Sequence, residues 1–316
     1  MENLTAYHVY YQNKDFGKYF EIDLLVQLAS ALLWKKAYGS IKLYCNKKFL
    51  DTLKEYHLDQ VYDEINTTLM ESIPYREYLP KYWSFCKIYL AKYLNQRESR
   101  FVILDTDLWI KEDIGLDLTK DLITFHEEIF YQGQPDLTYI SPDNFVSPKE
   151  VKKYNWGVLP TNGAFLYFNN KELINRWYKW VLNIIETNKD KPKHPQNADT
   201  CFIEQRILPT LAEYMGLKRE TVYPSIYKTW IKDSDDLSEW EPVLDTTELG
   251  SYRMDNCKHI WGVKNSYRYK DYRDIVLYAV LEHLDEEFDM EIIEKQYPKL
   301  FNICYTIWNS NENVED

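Results

Sequence analysis

The chain has 316 residues, 45% of them apolar, and a formal net charge of −12. This length is enough to bury a sizeable core. The negative charge excludes nucleic acid and anionic membranes as general partners, because both attract a basic surface. No apolar run is long enough to span a bilayer, so we expect no transmembrane segment.

The start of the chain and its cysteines bear on localisation. The sequence MENLTAYHVYYQNK has neither the basic region nor the apolar region of a secretory signal. The five cysteines are scattered and odd in number, without a Cys-x-x-Cys spacing, which predicts reduced thiols in the core. We therefore expect a cytoplasmic protein, with peripheral attachment at the inner face of a membrane as the alternative.

Strands and helices alternate along the first third of the chain. The clearest helix, 19–37, carries an apolar stripe that includes Ile22, Leu25 and Leu33, and Gly39 closes it. Alternation of this kind predicts an α/β fold with a mostly parallel sheet flanked by helices. Strands are predicted over 6–11, 41–45, 61–65 and 101–105, and helices over 19–37, 49–56 and 83–94.

The second part of the chain is less regular. Residues 131–156 are rich in Pro, Gly and Asp, which predicts a long loop, and a loop of that length suggests a lid. Residues 231–256 are polar and acidic and predict an irregular insertion. We see no internal repeat and no linker composition, so one domain over 1–316 is expected. Strands are predicted over 123–126 and 161–170, and helices over 173–184, 199–208 (broken at Pro209) and 271–287.

The stretch FVILDTDLWI places two carboxylates, Asp105 and Asp107, directly after an apolar strand. Ligands of parallel α/β sheets bind outside the carboxyl ends of the strands. Two carboxylates one residue apart can there converge on Mg²⁺ or Mn²⁺. The alternative is a pair at the edge of the core, held by backbone donors or an arginine. Asp233 and Asp235 have the same spacing without a buried strand before them, which predicts a solvated loop.

Two further stretches carry charge in apolar surroundings. Lys87 shares the apolar face of its predicted helix, so its ammonium either reaches solvent or meets a carboxylate or phosphate at the strand end. In HIWGVK, His259 and Lys264 flank Gly262. That spacing can direct a metal ligand and a phosphate donor to one point, although a buried structural histidine is the alternative.

Other polar residues are weaker candidates. Asn162 precedes Gly163 at the start of an apolar strand, where it either forms a turn or contacts a sugar hydroxyl. Glu127 and Glu128 follow a predicted strand and are candidates for a general base. Gln205 lies on a predicted helix that is either plain surface or part of a catalytic site, together with Asp199, Glu204 and Arg206.

The order of these motifs resembles nucleotide-sugar-dependent glycosyltransferases of the GT-A fold. WSFCKIYLAKYL and FVILDTDLWI look like the helix and strand that lead into the Asp-x-Asp of that superfamily, and TNGAFLYFNN is similar to its Asn-Gly strand. HIWGVK resembles the His-x-x-Gly-x-Lys ending of the glycogenin-like and lipopolysaccharide galactosyltransferase branch. The match covers 5–265 and implies a Rossmann-like sheet with irregular insertions in the C-terminal half.

The resemblance also implies a division of the single domain. Residues 1–115 would be its nucleotide-binding half, 116–270 its donor-sugar and acceptor half, and 271–316 a C-terminal helical segment. Two departures stand out: Asn265-Ser266 replaces the usual Pro-Trp, and 186–256 has no counterpart. The acceptor, the stereochemical course and the oligomeric state therefore stay open.

The resemblance implies roles for several residues. Asp107 and His259 would be direct Mn²⁺ ligands, and Asp105 would hold the metal or the ribose. Lys264, beside Gly262, would contact the diphosphate. The resemblance also implies that Lys87 lies near the aspartates and Asn162 near the donor sugar. Asn162, Gln205 and Glu127 are the catalytic candidates besides Asp107, the last two from the residue pattern alone.

The expected function is metal-dependent transfer of a sugar, most simply a hexose, from a UDP-sugar to an acceptor hydroxyl, with Mn²⁺ or Mg²⁺ as cofactor. One alternative is a sugar-nucleotidyltransferase. Such an enzyme needs a Gly-rich loop after its first strand, whereas YYQNKDFGKYF has a single Gly. The other alternative is an inactive protein that binds a nucleotide or a carbohydrate.

Overall fold

A computed structural model describes residues 4–131, 140–194, 197–222, 227–230, 257–259 and 270–310. Eleven strands occur in these ranges. They are β1 (Leu4–Tyr10), β2 (Gly39–Cys45), β3 (Glu64–Asn66), β4 (Phe101–Leu104), β5 (Leu108–Ile110), β6 (Leu122–Thr124), β7 (Glu128–Tyr131), β8 (Phe165–Phe168), β9 (Arg219–Thr221), β10 (Tyr227–Trp230) and β11 (Cys257–His259).

Eleven α-helices occur in the same ranges. They are α1 (Phe20–Tyr38), α2 (Lys47–Glu55), α3 (Thr68–Glu71), α4 (Phe85–Leu94), α5 (Pro148–Lys153), α6 (Lys171–Asn188), α7 (Ala198–Cys201), α8 (Ile207–Tyr214), α9 (Lys270–Glu287), α10 (Met290–Gln296) and α11 (Pro298–Asn309). None of these described helices has both the length and the hydropathy needed to cross a bilayer.

The chain divides into two compact units, of which the first comprises 1–71, 105–114 and 242–316. Its strands β3, β2 and β1 are parallel neighbours in that order, and β5 pairs with β11 in an antiparallel sense. Helix α1 packs on β5 and on α9. It ends at Gly39, whose φ of 102° is a left-handed backbone value that a side chain would disfavour.

The second unit comprises 72–104 and 115–241. Its strands follow the order β4-β8-β6-β9, with antiparallel pairing on both sides of β8 and parallel pairing between β6 and β9. Helix α6 packs against α4 and α8, and its apolar stripe, which includes Leu173, Trp177 and Ile184, is buried. The predicted α/β fold, a largely parallel sheet flanked by helices, is confirmed.

One predicted strand, 61–65, is partly wrong. The chain forms a 3-10 helix over Leu58–Val61 before the short strand β3. Leu58 and Val61 are both buried and three residues apart, which is the repeat of a 3-10 helix rather than of a strand.

The predicted helix break at Pro209 is wrong, because Pro209 lies inside α8. A proline removes the hydrogen bond to the carbonyl four residues earlier, which here belongs to Gln205. That carbonyl accepts the backbone N–H of Thr161 instead, at 3.0 Å. The preceding residues, Phe202–Arg206, form a wider π turn. The proline is therefore tolerated inside the helix, because the Gln205 carbonyl, which would have accepted the missing N–H, is already hydrogen-bonded to Thr161.

The predicted loop 131–156 is also partly wrong. Residues 132–139 lie outside the described residues, but helix α5 occupies Pro148–Lys153. Its capping box, in which Ser147 and Glu150 bond each other's backbone, stabilises the first turn. The expectation of a single domain over 1–316 stays a prediction.

Candidate metal centre and its surroundings

Asp105, Asp107 and His259 converge on one point of the first unit. One ligand atom from each lies within 4.8 Å of the others, and Nε2 of His259 is 3.5 Å from Oδ1 of Asp107. The antiparallel pair β5/β11 brings them together, because it sets His259 opposite Leu108, the residue after Asp107. Two segments far apart in the sequence thus meet through backbone pairing.

The donor set suits a divalent cation. Two carboxylates and one imidazole are hard to borderline ligands, which favours Mn²⁺ or Mg²⁺ over softer metals. Asp107 is 9% and His259 6% exposed. Carboxylates and an imidazole gathered in such a sheltered place are stabilised by a cation between them. The residues therefore fit a metal ion.

The turn that carries the two aspartates is held from helix α1. The backbone N–H of Leu108 donates to the Asp105 carbonyl at 3.2 Å, which closes the turn. The Ser30 hydroxyl donates to the Leu108 carbonyl at 2.6 Å. The Trp109 indole donates to the Val26 carbonyl at 3.1 Å. The first two residues of β5 are therefore bonded to one helix, which limits the movement of the aspartates.

A buried hydrogen-bond chain leads to Ser30. Gln27 donates its amide N–H to the Tyr62 hydroxyl at 2.6 Å, and that hydroxyl is 2.9 Å from Nδ1 of His8. Nε2 of His8 is 3.3 Å from the Ser30 hydroxyl. Because Ser30 uses its hydrogen toward the Leu108 carbonyl, we assign the His8 proton to Nε2, so that Nδ1 accepts from Tyr62. Every donor then has an acceptor with His8 neutral.

This network predicts a pH-dependent stability. Complete burial lowers the pKa of His8 from 6.5 to about 3, against the smaller opposing effect of the Asp107 carboxylate. A lowered histidine pKa means that folding favours the neutral ring, so its contribution is complete above pH 6.5 and is lost as the pH falls toward 3. We expect this residue to reduce the free energy of unfolding by up to about 1.4 kcal/mol for each pH unit below 6.

Urea unfolding between pH 7 and pH 4.5 measures this effect. The stability of His8→Gln should fall less steeply with acidification than that of the parent, whereas His57→Gln, which alters an exposed histidine, should follow the parent. Parallel profiles for the parent and His8→Gln would show that His8 does not titrate in this way.

In the second unit, Lys87 is buried and pairs with a carboxylate. Its Nζ lies 2.6 Å from Oε1 of Glu204 and 3.1 Å from the carbonyl oxygen of Gly163. The side chains of Lys87 and Glu204 are 7% and 3% exposed. The ammonium of Lys87 therefore does not reach solvent, and the carboxylate that it meets is that of Glu204; its predicted place near Asp105 and Asp107 stays a prediction.

Asn162 and Gly163 form a buried turn. Oδ1 of Asn162 accepts the Ala164 N–H at 2.8 Å, and the Asn162 N–H donates to the His126 carbonyl at 2.9 Å. A Cβ on Gly163 would overlap the carboxylate of Glu204. The glycine is therefore needed so that the Glu204 carboxylate can lie against the backbone.

The remaining candidates have different surroundings. Gln205 is half-buried, and its Oε1 has no hydrogen-bond partner among the described residues. Glu127 forms an isolated antiparallel bridge with Thr161. Asp199 is fully buried and accepts from both the backbone N–H and Nδ1 of His194, which gives it a local structural role. The side chain of Glu128 and the whole of Asp233, Asp235, Gly262 and Lys264 lie outside what the structure describes.

The sequence reasoning missed the chain that holds the aspartate turn. Gln27 and Ser30 are three residues apart within the apolar run LLVQLASALL, and His8 lies within a predicted buried strand. Polar residues at one face of an otherwise apolar helix need buried partners. That signal could have identified these residues, although not the atoms with which they bond.

Residues 18–252 match the sequence model of a protein family that is described as "Family of unknown function (DUF6734)". Because the match spans more than half of the chain, the chain belongs to this family. No curated protein matches it.

Several solved structures are similar to this chain. The glycosyltransferase GlyE of Streptococcus pneumoniae TIGR4 is 14% identical, with a TM-score of 0.37, over 70% of this chain and 45% of GlyE. Mouse xyloside xylosyltransferase 1 is 12% identical, with a TM-score of 0.37, over 67% of this chain and 82% of that enzyme. The galactosyltransferase LgtC, solved with donor and acceptor sugar analogues, is 13% identical, with a TM-score of 0.34, over 64% and 71% of the two chains.

This chain spans less than half the length of GlyE. The solved structures named above are glycosyltransferases, the class that the sequence motifs resemble. Their TM-scores are below 0.5, and the function therefore has to be inferred from the residues of the site.

Proposed function

We propose that this protein is a metal-dependent glycosyltransferase that moves a sugar from a UDP-sugar to an acceptor hydroxyl. The observation that carries the proposal is the convergence of Asp105, Asp107 and His259 within 4.8 Å. Asp105 and Asp107 directly follow the buried strand β4 in the chain, and carboxyl ends of strands are the usual ligand sites of α/β sheets.

In this proposal the three residues hold Mn²⁺ or Mg²⁺. When bound, the ion would supply positive charge that neutralises the departing diphosphate. Asp105 and Asp107 would set the position of that charge, and the His259 imidazole would complete the ligand set in its neutral form. Lys264, with Gly262 beside it, would add a second positive group for the diphosphate. Asn162, Gln205, Glu127 and Lys87 keep their sequence-based roles as proposals.

UDP binding is expected to depend on a divalent cation. Two carboxylates that face a diphosphate repel it unless a cation lies between them. Calorimetric titration of UDP should therefore give strong binding with Mn²⁺ and at least about tenfold weaker binding in EDTA, with recovery when Mn²⁺ is added back. Equal affinity under both conditions would remove the metal from the proposal.

A second experiment separates an enzyme from a binder. A set of UDP-sugars is incubated with the protein and Mn²⁺, and released UDP and sugar are measured by mass spectrometry. Hydrolysis of at least one donor supports the transferase. Tight UDP binding without release from any donor supports the inactive binding protein instead. Pyrophosphate release from a nucleoside triphosphate and a sugar phosphate would indicate the nucleotidyltransferase.

A further inference from the structure

Leu108, the first residue of β5, joins the segments that carry the three candidate metal ligands. It directly follows Asp107, and its N–H donates to the Asp105 carbonyl at 3.2 Å. In the antiparallel pair of β5 and β11 it lies opposite His259. The place of this one residue therefore bears on how far both aspartates and the histidine lie from one another.

The Ser30 hydroxyl holds Leu108 in place from helix α1. Ser30 is fully buried, and its Oγ is 2.6 Å from the carbonyl oxygen of Leu108 and 3.4 Å from that of Asp105. A hydroxyl has one hydrogen, which the shorter contact takes. The longer contact shows that the same oxygen lies against both ends of the turn. A hydrogen bond in such a dry interior is stronger than one exposed to water.

The buried chain behind Ser30 directs its hydrogen toward the turn. With the proton of His8 on Nε2, Ser30 accepts from His8 at 3.3 Å, so its own hydrogen is left for the Leu108 carbonyl. His8 accepts from Tyr62 at 2.9 Å, and Tyr62 accepts from Gln27 at 2.6 Å. Four hydrogen bonds therefore run in one direction, and each polarises the next.

We propose that Ser30 is a positioning residue of the candidate metal centre and sets its affinity for Mn²⁺, although its hydroxyl is bonded to backbone rather than to the ion. This inference rests on the proposed function for the metal, whereas the bond from Ser30 to the turn belongs to the fold. A metal site binds tightly when its ligands are held in place beforehand. Without the Ser30 hydroxyl, the ion itself would have to order the turn, at a cost in affinity.

The test is Mn²⁺ binding by the full chain and by Ser30→Ala, measured by calorimetry without nucleotide. The substitution should weaken Mn²⁺ binding about tenfold, the low end of the range for outer partners of metal ligands. The EPR lines of the bound ion should broaden, because a looser turn gives the ligands a wider spread of positions. Ser30→Cys, which keeps a weaker donor of similar size, should lie between the parent and Ser30→Ala.

Tyr62→Phe is the matched control. It removes the other hydroxyl of the buried chain, so that Gln27 and His8 each lose a bond, but it leaves the bond from Ser30 to Leu108. Its thermal unfolding midpoint should fall about as far as that of Ser30→Ala, whereas its Mn²⁺ affinity should stay within about twofold of the parent value. Equal weakening of Mn²⁺ binding by Tyr62→Phe and Ser30→Ala would show that affinity follows core stability and would overturn the positioning role. An undiminished affinity of Ser30→Ala would overturn it as well.

Sugar release by the parent separates this inference from the proposed function. Weaker Mn²⁺ binding by Ser30→Ala, together with no sugar release from any UDP-sugar by the parent, would support the positioning role and refute the transferase. Unchanged Mn²⁺ binding by Ser30→Ala, together with sugar release by the parent, would do the reverse. A parent that binds no Mn²⁺ would overturn both proposals.

Discussion

Asp107→Ala is expected to abolish turnover and to weaken Mn²⁺ binding more than about 100-fold. Removing even an outer partner of a metal ligand typically costs 10- to 100-fold in metal affinity, and Asp107 is proposed as a ligand itself. Its carboxylate is 3.5 Å from the His259 imidazole and is the only part of the side chain that could hold the ion. Calorimetry with Mn²⁺ and a UDP-sugar release assay measure the two effects.

The chain contains its own control for this substitution. Asp235→Ala alters a second Asp-x-Asp, in the polar and acidic segment 231–256, so it should leave both metal affinity and turnover close to those of the parent. Circular dichroism should show that Asp107→Ala is folded. A folded Asp107→Ala that keeps its activity would locate the reaction elsewhere.

Lys87→Met is expected to lower the free energy of unfolding by about 3–5 kcal/mol. The substitution leaves the buried Glu204 carboxylate without its ammonium, and an uncompensated buried charge is costly. Methionine has nearly the same length as lysine, so the loss of packing is small. Urea unfolding at pH 7 measures the change directly.

Two further variants show whether burial is the cause. Arg176→Met breaks an exposed ion pair with Glu172 on helix α6 and should cost less than about 1 kcal/mol. Lys87→Met combined with Glu204→Leu removes both charges and should recover part of the lost stability. If Lys87→Met and Arg176→Met were equally mild, the Lys87 pair would behave as a solvated one.

The parts of the structure that follow from local patterns could be predicted. Helix α1 was predicted within one residue at each end. Its apolar stripe indicates which face is buried, and Gly39 indicates where the helix ends. The meeting of Asp105 with Asp107 follows from their spacing at a strand end. His259 could be assigned to the same metal site only from the resemblance to a family, because no local sequence pattern predicts that β11 pairs with β5.

Other features depend on partners that are distant in the sequence. The pairing of Lys87 with Glu204 and the acceptance of the Thr161 N–H by the Gln205 carbonyl join separate segments. Helix propensity depends on neighbouring residues only and does not include such bonds. The sequence alone therefore predicted that the helix breaks at Pro209. The capping box of Ser147 and Glu150 is a different case, because its Ser-x-x-Glu spacing is local and could have predicted helix α5.

The close approach of Gly163 to Glu204 has a consequence for how this family can vary. The volume that a side chain at position 163 would need is already occupied by the carboxylate at position 204. Substitutions at positions 163 and 204 are therefore not independent of each other. A relative that gains even a methyl group at the first must shorten or redirect the residue at the second, and the lysine equivalent to Lys87 would then lose its counter-charge. Three positions, far apart in the alignment of such relatives, would be inherited as one unit.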